Sequence, residues 1–226
     1  MPTSKSSHFL HLLRKKGKWG ARTPHPYQPW RDGGSHDRGA DPPETGQRRM
    51  NPPETIQTER LLLRKPRLDD APVIFESYAQ DPEVTRYMTW RPHKSVEETY
   101  RIVELMLQLW DEGEAYSYAI TLRNSNEVIG MIAMHPDDFK VGIGYVLARP
   151  HWGKGYMTEA ACAITNWLLE QPDVYGVYAT CDVEHLASAR VMEKAGMIRE
   201  GLLRRYVLHP NLSDEPRNAY LYAVVR

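Results

Sequence analysis

The sequence predicts an α+β fold, with helices bracketing a mainly antiparallel run of strands and one strand–helix–strand unit in the middle. Three observations predict it. Apolar residues recur at helical spacing over 95–112 and again over 156–170. Between those stretches lie three strand-length runs separated by short polar turns. After them a strand, a short helix stopped by glycine and two closing strands complete the chain. The composition agrees: 226 residues, 41% hydrophobic and 26% charged, is ordinary for a soluble globular chain. The longest apolar run, Val128 to Met134, is strand length and far below the ~18 residues of a membrane helix.

The elements follow in order. Leu61-Leu62-Leu63 before Lys65-Pro66 reads as an opening strand. Asp69-Asp70 cap a helix through about Tyr78, and Asp81-Pro82 starts a short second turn. Ser95-Val96-Glu97-Glu98 is a capping box. The helix it opens places Val96, Tyr100, Val103, Met106, Leu107 and Trp110 on one face, and Asp111-Glu112-Gly113 ends it. The strands are Ala115–Leu122, Glu127–Met134 and Val141–Leu147, with Asn124-Ser125-Asn126 and Asp137-Asp138 as turns. Ala160, Ile164, Trp167 and Leu168 mark a helix from about Tyr156 to Glu170. Val174–Val183 is a strand and Ala187–Ala195 a helix. Ile198–Leu208 and Ala219–Val225 close the chain, separated by Pro210–Pro216.

A net charge of zero hides an uneven split. Residues 1–49 hold ten Lys/Arg against four acids, leaving 19 basic and 25 acidic residues in the rest. This basic segment also carries six of the 17 prolines and six of the 15 glycines, with Phe9, Leu10, Leu12 and Leu13 as its apolar cluster. It cannot bury enough surface to offset its ordering entropy, so it reads as a disordered tail on an acidic body over 50–226. Met50 as the real start, a solvated tail, a targeting segment and an RNA-contacting tail all stay open. The zero net charge removes any chain-wide argument for nucleic acid. Two cysteines, Cys162 and Cys181, exclude a disulfide scaffold and suit a cytoplasmic protein with reduced thiols. No H-E-x-x-H or paired-Cys spacing supports a metal site.

The most informative stretch is Gly142-Ile-Gly-Tyr-Val-Leu-Ala-Arg-Pro-His-Trp-Gly-Lys-Gly-Tyr-Met-Thr-Glu-Ala160. It is a strand, a glycine-rich turn and the first turn of a helix. Unpaired helix N–H groups and close-approach glycines at 153 and 155 make a cradle for phosphate or pyrophosphate. It is not a P-loop, since Gly155 is not followed by Lys, and not a dinucleotide fingerprint, since Thr158 replaces the third glycine.

The stretch resembles the acetyl-CoA-binding motif of the GNAT acetyltransferases, nearest the ribosomal-protein N-terminal (RimJ/RimL) branch. Members of that branch read about G-Y-W-L-x-P-x-Y-W-G-K-G-Y-A-T-E-A, and this chain matches at Gly144, Tyr145, Leu147, Pro150, Trp152 to Tyr156, and Thr158 to Ala160. A second block, Ser188 to Gly201, resembles the family's S-x-R-V-x-E-K-x-G-F-x-x-E-G. The resemblance covers about residues 55–226. It implies a mixed sheet splayed between its fourth and fifth strands, with helices on both faces. Acetyl-CoA is the implied co-substrate, its pantetheine arm lying along Val141–Leu147 beside Tyr145, Val146 and Leu147. Its pyrophosphate would sit on the turn formed by Trp152, Gly153, Lys154, Gly155, Tyr156, Met157 and Thr158. His185, Arg190 and Lys194 would lie near the cofactor, although a solvated helix face explains Arg190 and Lys194 equally well.

Acetyl transfer needs a neutral amine, a polarised thioester carbonyl and a proton for the leaving thiolate. By family analogy a backbone N–H near Val146 to Ala148 polarises the carbonyl. The side chains depart from the family. Gly142 replaces a frequent glutamate, so the general base is open among His135, Glu184, His185 and an acidic pocket with no dedicated base. The family's thiol-protonating tyrosine falls at Met192, leaving Ser188, to which the Rim branch assigns that role. His185 replaces a usual asparagine, and Met157 a usual Gly or Ala. Cys181 reads as a core residue, and Tyr206, Tyr220 and Tyr222 as closing-strand residues near the acceptor site. The implied function is acetyl transfer from acetyl-CoA to a primary amine, a peptide N-terminus or a small molecule, in a ternary complex. The alternatives are a catalytically weak acyl-CoA-binding module and a ribosome- or RNA-associated protein acting through its tail. Self-association stays open.

Overall fold

The computed structural model describes residues 50–226, and the expected disordered tail at 1–49 lies outside the described residues. The strands are β1 (Thr55–Gln57), β2 (Leu61–Arg64), β3 (Tyr116–Leu122), β4 (Val128–Asp137), β5 (Lys140–Leu147), β6 (Gly176–Asp182), β7 (Ile198–Val207) and β8 (Arg217–Val225). The helices are α1 (Ala71–Ile74), which runs on into a π turn over Phe75–Ala79, α2 (Pro82–Thr85), α3 (Val96–Glu112), α4 (Tyr156–Leu169) and α5 (Leu186–Lys194).

The sheet order is β1-β2-β3-β4-β5-β6-β8-β7. Neighbours are antiparallel except for β5 and β6, which run parallel because α4 crosses over between them. The α+β expectation therefore holds. Its ordinal detail does not: the sheet parts between the fifth and sixth strands, because a short strand, Thr55–Gln57, precedes the Leu61 strand and pairs with it. That strand has three residues and no clear alternation of apolar side chains, so periodicity offered little to detect.

Each face of the sheet carries a core. Beneath α4 and α5, Ile132, Met134, Ile143, Ile164, Leu168 and Met192 are packed together. Beneath α1 and α3 lie Ile74, Val103, Ala119 and Met131. A fully buried aliphatic side chain of this kind stabilises the fold by roughly 1.5–3 kcal/mol. In α3, Val103 and Trp110 are buried as the spacing predicts, and the Trp110 ring meets Tyr116 and Tyr118 edge-on at 5.3 and 4.9 Å. Tyr100, expected on the same face, is exposed. The expected capping box is also absent: Ser95 makes no cap bond, and Glu98 instead accepts from the Lys94 amide at 2.9 Å. Asp70 does more than open a helix. It is buried and holds Arg64 through two bonds of 2.8 and 2.6 Å.

Two details position the site. β4 extends to Asp137, three residues beyond the expected end, so Asp137 belongs to the strand and pairs with Lys140. The hairpin turn falls at Asp138, whose φ is +47°. β5 and β6 pair over Lys140–Gly142 and Gly176–Tyr178 and then separate, leaving the rest of β5 open on that side.

Candidate functional site

The opening begins with backbone geometry. β4 and β5 keep continuous register from Asp137↔Lys140 to Gly130↔Leu147, and the Ala148 amide donates to the Ile129 carbonyl at 2.8 Å. Strand alternation then turns the peptide groups of Val146 and Gly144 toward β4. Those of Ile143, Tyr145 and Leu147 face the opening. Of the amides expected to polarise a carbonyl, from Val146 to Ala148, the one facing the opening is Leu147. Its carbonyl is already engaged, because the Trp152 indole N–H donates to it at 2.7 Å. Trp152 thus caps the end of the exposed strand.

The lip follows. Gly153 and Gly155 have φ of +73° and +80°, the left-handed region in which any side chain is strained. Gly155 caps α4, and the first helical bond runs from the Glu159 amide to the Gly155 carbonyl at 3.0 Å. The amides of Tyr156, Met157 and Thr158 precede it and have no intrahelical acceptor. Met157 presents only its backbone to the turn, since its side chain is buried in the core. Lys154 is exposed.

Sequence reasoning missed what holds this lip. Glu159 accepts from the Thr58 hydroxyl at 2.6 Å, the Arg60 amide at 2.8 Å and Arg60 Nε at 2.7 Å. Arg60 also donates to the Lys154 carbonyl at 3.0 Å and lies over the Tyr156 ring, 4.7 Å from its centre. Burial raises the Glu159 pKa, but the Thr58 and Arg60 bonds outweigh it and hold the carboxyl below its usual range. The matched Glu159 was the available signal, but its partners lie about a hundred residues away, beyond any local pattern.

A pantetheine-pyrophosphate group fits these residues: the positive-φ glycines, three orphan amides and an open strand edge are what an extended arm ending in an anion requires. Arg190 and Lys194 are exposed on α5, in keeping with a solvated face.

The expected catalytic residues fall on opposite faces of β5. Ser188 is buried, and its hydroxyl lies 2.9 Å from the Tyr145 hydroxyl, which also donates to the Ser188 carbonyl at 3.2 Å. Burial pushes the Tyr145 pKa up, with Ser188 opposing, so the pair stays protonated. His135 pairs across the strands with Gly142 on the other face. Its side chain keeps contact with solvent, and partial desolvation of the ring lowers its pKa. The structure does not bring Ser188 and His135 together.

On the His135 face lies a polar wall. Asp182 is buried and accepts from Arg217 Nε at 2.6 Å and from the Glu184 amide at 2.9 Å. His209 is buried, its Nε2 3.7 Å from Asp182. Tyr87 stacks on His185 with centroids 4.3 Å apart and meets His209 edge-on at 6.2 Å. Burial lowers the His185 pKa to about 4, against the pull of Asp182. At the cap of α5 the His185 imidazole therefore stands neutral and stacked on Tyr87. Asn211 ties this loop to the α2 region through the Thr85 and Trp90 carbonyls at 2.7 and 2.8 Å. Glu184, another candidate base, is paired with Arg217 at 3.0 Å.

The remaining residues separate cleanly. Cys181 lies in the core, and burial, then Asp182 and Glu193, push its thiol up to about 11, a poor nucleophile. Met192 is buried. Tyr222 is in the core and donates to Glu193 at 3.1 Å, while Tyr220 carries Arg199 over its ring. Among the described residues no cluster of three or more His, Cys, Asp or Glu could hold a metal ion, and no helix is long and apolar enough to cross a membrane.

Comparison with known proteins gives the same answer as the geometry. The family model described as an acetyltransferase (GNAT) domain matches residues 60–198. The uncharacterized N-acetyltransferase p20 of Bacillus licheniformis is 35% identical over 156 residues, 68% of this chain and 87% of that protein. A GNAT-family acetyltransferase structure from Bacillus anthracis superposes with a TM-score of 0.67 at 30% identity, covering 76% of this chain and 98% of the other. RimL, a ribosomal L7/L12 α-N-protein acetyltransferase in complex with coenzyme A, shares the fold with a TM-score of 0.69 at 22% identity, covering 76% and 98%. With its parted sheet and glycine lip matched in this way, the chain belongs to the GNAT family of acetyltransferases.

Proposed function

We propose that this chain moves the acetyl group of acetyl-CoA to a primary amine, on a peptide N-terminus or a small molecule, by direct transfer in a ternary complex. The observation that carries the reading is the parting of β5 and β6 directly beside the positive-φ glycine lip. Acetyl-CoA supplies a thioester, whose carbonyl carbon bonds to the amine nitrogen as the carbon–sulfur bond breaks.

The chain's residues have separable roles. The Tyr156, Met157 and Thr158 amides, with Gly153 and Gly155, bind the pyrophosphate, and Lys154, Arg190 and Lys194 add positive charge near it. Tyr145, Val146 and Leu147 form the strand beside the pantetheine arm, and the Leu147 amide polarises the carbonyl. Trp152 closes that strand. Ser188 gives its hydroxyl proton to the departing sulfur, Tyr145, 2.9 Å away, passes its own proton to Ser188, and the proton that the nitrogen sheds as the amide forms returns through water to Tyr145, which ends protonated. On the opposite face His135, neutral at pH 7, contacts the incoming amine. His185 holds the wall beside it through Tyr87. The acidic balance outside residues 1–49 favours cationic acceptors through steering. The two free thiols suit a cytoplasmic protein.

The missing glutamate, the missing tyrosine and His185 motivate the weak-binding-module reading. The Tyr145–Ser188 hydroxyl pair favours turnover instead. The test follows CoA release by the full chain against pooled N-terminal peptides and small amines. Acetylation of one class is expected. Tight acetyl-CoA binding with no acetylated product from any amine would return the binding module.

A further inference from the structure

Gly142 stands where the family resemblance leads one to expect a glutamate, and its surroundings are not empty. A Cβ at Gly142 would lie 3.0–3.3 Å from the outer ring atoms and hydroxyl of Tyr178. Tyr178 pairs with Gly142 across the parallel β5–β6 contact, the last pair before the strands separate. Its hydroxyl donates to Asp137 Oδ2 at 3.2 Å. Asp137 lies at the end of β4, on the same face as His135, which faces Gly142 across the β4–β5 ladder. Three strands therefore bring a hydroxyl, a carboxylate and an imidazole over one glycine.

We propose that Tyr178 and Asp137 together replace the absent side chain at position 142: Tyr178 receives the acceptor amine, and the amine's proton passes through its hydroxyl to Asp137. The inference rests on the acetyltransferase reading of this site. In the step, one N–H bond of the ammonium breaks and that proton bonds to Tyr178 Oη. Tyr178's own proton moves to Asp137 Oδ2. The nitrogen keeps the electron pair and is free to attack, and the neutral Asp137 acid later returns its proton to water. The charged and titratable groups facing the pair are His135 on β4, Lys140 on β5 and Tyr206 on β7. Burial, followed by Asp137, pushes the Tyr178 pKa up, so Tyr178 keeps its proton and relays one instead of losing it. Asp137 acts through Tyr178 and is a positioning and proton-storing residue.

The test is the pH profile of kcat/KM for the full chain and for Tyr178→Phe and Asp137→Asn. Two acceptors are used: a tetrapeptide with a free α-amino group, pKa about 8, and an alkyl diamine, pKa about 10. Both variants should lose about tenfold or more at pH 7 and recover toward the wild type as each amine becomes neutral by itself. The recovery should come about two pH units later for the diamine. KM for acetyl-CoA should not move. Tyr178→Ala with Gly142→Glu should regain activity relative to Tyr178→Ala alone, which separates a lost route from a lost fold. Losses equal at every pH, or no loss, overturn the route while leaving the acetyltransferase reading intact. No turnover of either amine by the wild type overturns both.

Discussion

The two sides of β5 are built in different ways. The side proposed for the cofactor is mostly backbone: two glycines with positive φ, three orphan amides and an exposed strand edge. The side proposed for the acceptor is mostly side chains, with His135, Asp137, Tyr178, Asp182, His185 and His209 arriving from β4, β6, the α5 cap and the β7–β8 loop. A backbone site has a local sequence signature because each φ requires a particular residue. A side-chain site has none, because its members converge only after folding. Variants on the two sides should therefore change different kinetic parameters.

The largest separation should come from Gly155→Val. A β-branched residue forced to φ +80° costs about 2–3 kcal/mol, or roughly a hundredfold in acetyl-CoA affinity by titration calorimetry. Amine selectivity should not change. Ser188→Ala removes the proposed donor to the thiolate and should lower kcat about tenfold with little change in either KM. Equal losses in kcat and acetyl-CoA binding would instead make Ser188 a packing residue.

Much of the fold was legible because its long elements carry clear periods. The helices at 96–112 and 156–169, the three central strands and the Gly196 stop all lie close to where the residues place them. The three-residue β1 was not legible, and Tyr100 followed helical spacing yet lies outside the contact. In the site, the glycine lip could be read because Gly153 and Gly155 do what only glycine does easily. Glu159 could be matched but not explained, since Thr58 and Arg60 reach it from the β1–β2 turn. Tyr178 and Asp137 carried no signal, because their pairing depends on the β5–β6 register and on β4 extending past Met134.

Arg60→Ala sharpens the comparison at smaller amplitude. Losing the brace on the lip should raise KM for acetyl-CoA about fivefold, with kcat nearly unchanged. The exposed Arg60–Glu159 pair contributes little to global stability, about 0.2–1 kcal/mol.

A separate effect, outside the division between the two sides, is on stability against pH. Burial disfavours the charged form of His185, so its contribution is complete above the ordinary histidine value of 6.5 and is lost as pH falls toward about 4. His209 is lowered in the same direction. The melting temperature should fall across that window, and His185→Asn should flatten the fall without abolishing it. An identical slope in the variant would remove His185 from the account.

The most direct test of the two-sided site is bisubstrate kinetics on the wild type, Gly155→Val and Tyr178→Phe at pH 7. The account predicts that Gly155→Val raises KM for acetyl-CoA while nearly preserving kcat at saturation. Tyr178→Phe should lower turnover of the amine and leave KM for acetyl-CoA unchanged. If both variants shift the same parameter by similar factors, the two faces of β5 do not divide the work, and the account is wrong.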